Sequence, residues 1–312
     1  MRVLGVSVLV LFGWVALAQA EPLDLRQVAA DAQWVAHNDV DLMRASPVIE
    51  KAYQAVCEQW PDQAEGQTDR LHDDFGLDLQ NGLHSITAYG KQIGKPTGVL
   101  IAQIDGDKGV LEGKLKDAPG YEASEHGKYT LHSFTQEGKG CSMTLAVYSP
   151  TKLVVGRSVA DVAAAIDVLD GKAPNLTKTK SVLAAKVPAD AMLVGRAIGL
   201  SHAKVPEKSP LVNLVKQSDS FCVAFGIKDE VVFVDAELAV KNAETAVQFK
   251  NLADGSRAML SLQLASMPEA LKLLNLLKVN VSGKKVTANW RAPVDELWTQ
   301  AEAAFAQWES TH

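Results

Sequence analysis

The sequence predicts an α+β protein built from largely antiparallel sheets with helices packed on one face. Three observations carry that expectation. A strand-like hairpin followed by an amphipathic helix recurs near 84–117, 141–170, 221–254 and 279–308. Residues 285–292 alternate cleanly, with Val286, Ala288, Trp290 and Ala292 on one side and Lys285, Thr287, Asn289 and Arg291 on the other, as an antiparallel sheet with one covered face requires. The composition, 47% apolar and 22% charged over 312 residues, is that of a globular chain able to bury a large core.

The chain opens with an address. Met1-Arg2 is followed by an apolar run through Leu17 and by Ala18-Gln19-Ala20, the order of a cleavable signal peptide. The apolar run is short for a membrane span, and no cysteine follows the cleavage site to take a lipid. The expectation is therefore a signal peptide over 1–20 and a secreted or periplasmic, soluble mature protein without a transmembrane helix. Its removal takes away one arginine and no acid, so the formal charge falls from −6 to −7. That mildly acidic balance leaves no basic footprint for nucleic acid or anionic lipid.

Residues 21–80 read as a mostly helical N-terminal segment. Ser46-Pro47 offers an N-cap with proline at the first helical position. Val48, Ile49, Ala52, Tyr53, Val56, Cys57 and Trp60 then form one apolar helical face. A polar loop over 63–70 and a short helix over 69–75 should follow. Residues 81–175 form a first sheet–helix half, with strands at 84–89, 98–105, 128–135, 141–148 and 152–157 and helices at 107–117 and 159–170. The second helix starts at a capping-box-like Ser158 and stops at Gly171. Residues 176–312 form a second half, with strands at 191–199, 221–227, 231–240, 279–282 and 285–292. Its helices run from Asn242 to a stop at Gly255, from a capping box at Ser266-Met267-Pro268-Glu269, and along the Val294, Leu297, Trp298, Ala301, Phe305, Trp308 stripe. The recurrence of one unit predicts two similar halves joined by internal duplication.

Export permits a disulfide, but Cys57, Cys141 and Cys222 all lie in apolar surroundings, where free cysteine behaves as a small hydrophobe. Three buried thiols are expected, with a Cys141–Cys222 bridge as the exception to test.

Chemistry is sparse. No His-Glu-x-x-His, Cys-x-x-Cys or Gly-x-Ser-x-Gly occurs. The stretch from Gly90 through Gly94-Lys95-Pro96-Thr97 imitates a phosphate loop, but it is one residue short and its proline lacks the amide such a loop needs. No cofactor is expected. His37, Asp39 and Asp41 would share one face of an extended strand and could ligate a divalent metal, with His72 or His84 completing the set. The plainer reading makes Asp39 or Asp41 a cap or turn residue. Glu125, His126, His132 and Ser133 supply acid, base and hydroxyl, yet their spacing is that of a hairpin turn and a strand.

Three phrases occur together: 31–39 (Asp31 to Asp39, through Trp34 and His37), 74–78 leading to 83–90, and 152–158 before the 159–170 helix. As a set they resemble an uncharacterised family of bacterial exported α+β proteins with no established activity. The resemblance implies export and carries no catalytic residue. The function expected is thus a soluble, non-enzymatic binding or interaction protein of the cell envelope, taking an unknown protein or an apolar ligand. The competing expectation is an envelope hydrolase or metal-dependent enzyme using the His37/Asp39/Asp41 region.

Overall fold

The computed structural model describes residues 22–59, 81–94, 97–106, 108–136, 141–203 and 212–309. The leader expected over 1–20, the 63–70 loop, the 69–75 helix, Trp60 and His72 lie outside them. The chain falls into two compact units, Met1–Lys186 and Val187–His312. The boundary follows the expected 175/176 junction because 176–184 still belongs to the first unit. There the Leu176 amide donates to the Val28 carbonyl at 2.9 Å, Ala29 bridges to Asn175, and Leu176 and Leu183 are fully buried.

The first unit contains strands β1 (Trp34–Asp39), β2 (Leu83–Gly90), β3 (Val99–Ile104), β4 (Glu122–His126), β5 (Tyr129–Gln136), β6 (Cys141–Ser149) and β7 (Lys152–Gly156). They hydrogen-bond in the order β1-β2-β3-β7-β6-β5-β4, every pair antiparallel. Its helices are α1 (Val40–Arg44), α2 (Pro47–Gln59), α3 (Lys108–Lys116) and α4 (Val159–Leu169). On one sheet face Ala102, Phe134, Leu145 and Leu153 form a core with Val40, Leu111 and Leu115, joined by Ile49 and Tyr53 of α2. Leu131, Ala146 and Val154 alternate to the other face. There α4 buries Val162, Ala165 and Ile166, and the Val162 side chain fits against Gly156, where a Cβ would lie 2.9 Å from it. Helices therefore cover both faces of this sheet. Ser158 caps α4 through its Oγ, which accepts from the Asp161 amide at 3.1 Å, and Gly171 follows the helix at φ +74°. Strand β4 escaped the sequence reading because it is polar and exposed almost throughout, so no alternation marks it.

The second unit contains β8 (Ala191–Ile198), β9 (Ser218–Lys228), β10 (Val231–Val240), β11 (Lys278–Ser282) and β12 (Lys285–Pro293), in the order β8-β9-β10-β12-β11, again all antiparallel. Its helices are α5 (Val212–Lys216), α6 (Ala243–Gln263), α7 (Pro268–Asn275) and α8 (Val294–Glu309). Leu238, Val240, Val281 and Val286 share one face and pack with Ala246 and Phe249 of α6. The β9–β10 hairpin turns on Asp229 and Glu230, both at positive φ (48° and 60°), the backbone of a two-residue turn matched to strand twist.

Two helix boundaries differ from expectation. Helix α6 does not stop at Gly255 but runs on to Gln263. Gly255 keeps a negative φ, and the residues beyond it (Arg257, Ala258, Met259, Leu260) are good helix formers that offset its cost of about 1 kcal/mol. Helix α7 is preceded by Met267 with no side-chain cap, so the expected box at Ser266 is one residue out of register. Cys57 and Cys222 are free thiols and half-buried rather than buried. No helix among the described residues is long and apolar enough to cross a membrane.

Candidate functional site

The His37/Asp39/Asp41 motif fails to stay in one strand, and Asp39 is the reason. Its carboxylate accepts from the Leu42 amide at 2.8 Å and so caps α1. The strand ends there, its period of two ends with it, and Asp41 enters a helix instead of the face shared by His37 and Asp39. His37 Nδ1 lies 2.9 Å from Thr87 Oγ1, its cross-strand neighbour on β2. Asp41 turns to Arg44 and His84: Arg44 Nη1 donates to Asp41 Oδ1 at 2.6 Å, and His84 Nδ1 stands 2.9 Å from Asp41 Oδ2. Arg44 Nη2 also donates to the Leu83 carbonyl at 2.8 Å, and His84 Nε2 lies 3.2 Å from Asp105.

Of the expected ligands, then, the structure joins Asp41 to His84, while His37 pairs with Thr87 and Asp39 caps α1. Among the described residues no group of three or more His, Cys, Asp or Glu side chains is placed to hold a metal ion. The Asp41–Arg44–His84 cluster is a clasp between α1 and β2. Partial burial disfavours a charged His84, but the carboxylates of Asp41 and Asp105 outweigh it and raise its pKa above the ordinary histidine value.

The second constellation also disperses. His132 and Ser133 are adjacent on β5 and therefore point to opposite faces. His132 is buried, stacked on Tyr121 with Nδ1 3.0 Å from the phenol oxygen, while Ser133 Oγ lies 2.9 Å from Thr144 Oγ1. His126, at the end of β4, reaches Asp167 of α4 at 2.9 Å. Beside it Tyr129 and Tyr148 stack with ring centroids 5.1 Å apart, and both hydroxyls donate to Asp170. Burial, together with hydrogen bonds to Tyr129 and Asp170, pushes the Tyr148 hydroxyl up to about 12. Each of these polar groups is used to join one structural element to another.

The feature that stands out from the surface lies in the second unit and was missed by the sequence reading. From the middle of α6 to the start of α7, Leu252, Met259, Leu260, Leu262 and Met267 are exposed, Met259 at 60% and Leu262 at 80%. Residues 258–267 carry no charge at all. Single exposed apolar residues are ordinary; here several fall within one stretch around a helix–helix connection. The uncharged stretch was the available signal; placing a helix stop at Gly255 hid it.

No protein-family model matches the chain, and no curated protein matches it. Among solved structures it is similar to crystal form III of TP0453, with TM-score 0.46 and 8% identity over 88% of this chain and 96% of that one. It is also similar to crystal form I of the same protein, with TM-score 0.43 and 9% identity over 92% and 98%. Similarity at this level carries no functional argument.

Proposed function

We propose that the chain is an exported, soluble, non-enzymatic interaction protein of the cell envelope, periplasmic or secreted. The observation that carries this reading is the exposed, uncharged apolar surface formed by the end of α6 and its connection to α7. Exposed apolar residues gathered in one uncharged stretch are characteristic of surfaces that another molecule covers. The leader-like start at 1–20 and the resemblance to exported proteins support the compartment. The polar residues that sequence alone would assign to catalysis are engaged in a helix cap, a clasp and strand-to-strand hydrogen bonds, which favours a structural role for them.

The test is site-specific photo-crosslinking in the native host, with a benzoyl-phenylalanine at position 262 and a control at exposed Lys241. The reading expects one defined adduct in the envelope fraction from position 262, absent from position 241 and lost in a Met259→Ser/Leu260→Ser background. Equal labelling from both positions, or a chain that remains unprocessed in the cytoplasm, would overturn it.

A further inference from the structure

Helix α6 meets the rest of its unit along one side. Ala246 is buried and Phe249 packs beside it in the core, and Ala253, Arg257 and Ser261 are half-buried further along. Steps of three and four keep these residues on one helical face. Arg257 ties that face down near the start of β11, where its Nη1 donates to the Leu277 carbonyl at 3.3 Å.

The side turned away carries a second series. Leu252, Gly255, Met259 and Leu262 follow one another by three, four and three residues, the a-d-a-d order of a helix–helix seam. All four are exposed. Leu252 is 51% exposed, Met259 60% and Leu262 80%, and a Cβ added at Gly255 would meet nothing within 4 Å. Gly255 is therefore an open notch in an otherwise bulky apolar stripe.

Two features single out a second copy of this chain as the occupant. The first is shape. When two such helices run antiparallel about a two-fold axis, each a position faces a d position. Leu252 then meets Leu262 of the second copy and Met259 fills the notch over Gly255 of the second copy, each contact being made twice. The second is charge. The positions flanking the seam are Asn251, Ser256, Ala258 and Gln263, so a pairing of like with like brings no repulsion. Helix pairs between different chains are instead set by charges at those positions. The charges nearby lie off the seam and are spent on one another: Lys250 reaches Asp254 at 2.5 Å and Arg257 reaches it at 3.5 Å.

We propose that the chain forms a two-fold homodimer by antiparallel pairing of α6 with α6 of a second copy. The proposal rests on the reading of this surface as an interaction site and names its occupant. From Leu252 to Leu262 the seam runs about 16 Å at 1.5 Å per residue, which places the interface at the small end of specific contacts. The dimer is therefore reversible, with a dissociation constant of about 10 µM.

Sedimentation velocity of the purified chain between about 1 and 300 µM, a range that brackets this constant, tests it. The wild type should pass from monomer to dimer with no larger species, because a two-fold contact closes on itself. Leu252→Glu and Leu262→Lys each press a charge against leucine at both ends of the seam and should weaken the dimer about tenfold or more. The double variant Leu252→Glu/Leu262→Lys sets opposite charges against each other twice and should recover about tenfold over either single variant. A parallel pairing would instead set like charges together and recover nothing. Within one helix the two positions are about 15 Å apart, too far to pair with each other. Both side chains are exposed in the monomer, so all three variants should keep the wild-type melting temperature at about 1 µM. A chain that stays monomeric throughout, association that the single variants leave unchanged, or a double variant no tighter than the singles would each overturn the homodimer. The envelope crosslink at position 262 separates this from the broader reading. An adduct of two copies supports both, whereas a defined adduct with a different molecule overturns the homodimer and leaves the interaction surface standing.

Discussion

Asp41→Ala should be the most informative single change in the first unit. Asp41 and Arg44 have side chains only 5% and 4% exposed and meet at 2.6 Å. Arg44 has one further acceptor, the Leu83 carbonyl, and its Nε has none. Truncating Asp41 thus strands a guanidinium in the interior with a single neutral partner. Removing one side of a buried pair costs about 3–5 kcal/mol, more than the pair's own net contribution, because the surviving charge is left desolvated. Water entering the space vacated by the carboxylate moves the expectation to the lower end, about 3 kcal/mol. Arg44→Met is not equivalent. Asp41 keeps His84 at 2.9 Å, so the loss is closer to one charged hydrogen bond, about 2 kcal/mol. The double variant Asp41→Ala/Arg44→Met removes both charges and leaves the Leu83 carbonyl and the partly exposed His84 Nδ1 without these partners. It should cost no more than Asp41→Ala alone, a coupling of about 2 kcal/mol between the two positions. Urea unfolding at pH 6, followed by far-UV circular dichroism, measures all three. A loss below about 1 kcal/mol for Asp41→Ala, or additivity within about 0.5 kcal/mol, would refute the clasp as described.

Four further expectations come from other parts of the structure. His84 is raised above its ordinary pKa by Asp41 and Asp105, so the folded state holds its proton more tightly than the unfolded chain. The stability it contributes is full below about pH 6.5 and fades as pH rises through the higher folded value; unfolding midpoints across pH 5–9 should show that decline and lose it in His84→Gln. Gly226→Ala would place a Cβ 2.0 Å from the Asp190 carbonyl oxygen and 2.7 Å from the Phe233 ring, and should destabilise by about 3 kcal/mol or more. Gly255→Ala meets nothing within 4 Å at a helical position and should stabilise by about 1 kcal/mol; a lowered melting temperature there would restore Gly255 as a helix stop. Ser158→Ala removes the α4 cap and should cost about 1 kcal/mol, whereas Ser266→Ala, which caps nothing, should stay within about 0.5 kcal/mol in the same thermal scans.

How much of this was legible in the sequence depended on whether the deciding interaction was local. Strand β12 occupies the residues its alternation predicted, one residue longer at its end, and α4 begins at the cap its Ser158 announced, because strand period and N-cap chemistry are written within a few residues. Gly255 misled for the complementary reason. A glycine ends a helix only if the chain leaves the helical basin there, and the helix-forming residues that follow keep it inside. Strand β4 was invisible because it buries almost nothing; it is placed by pairing with β5, residue against residue from Glu122↔Ser133 to His126↔Tyr129, and by the His126–Asp167 contact.

The candidate site residues divide along the same line. His37, Asp39 and Asp41 attract notice because they are close in sequence and chemically suggestive, and that closeness is what the fold undoes: one carboxylate caps a helix and the next is carried off by it. Of the described candidate ligands only Asp41 and His84, 43 residues apart, meet in the folded chain. Arg44 joins them because the short helix that carries Asp41 away from the strand places the guanidinium three residues on, within reach of the same carboxylate. The pairing arises at tertiary distance, so the sequence offers its residue types and not its geometry.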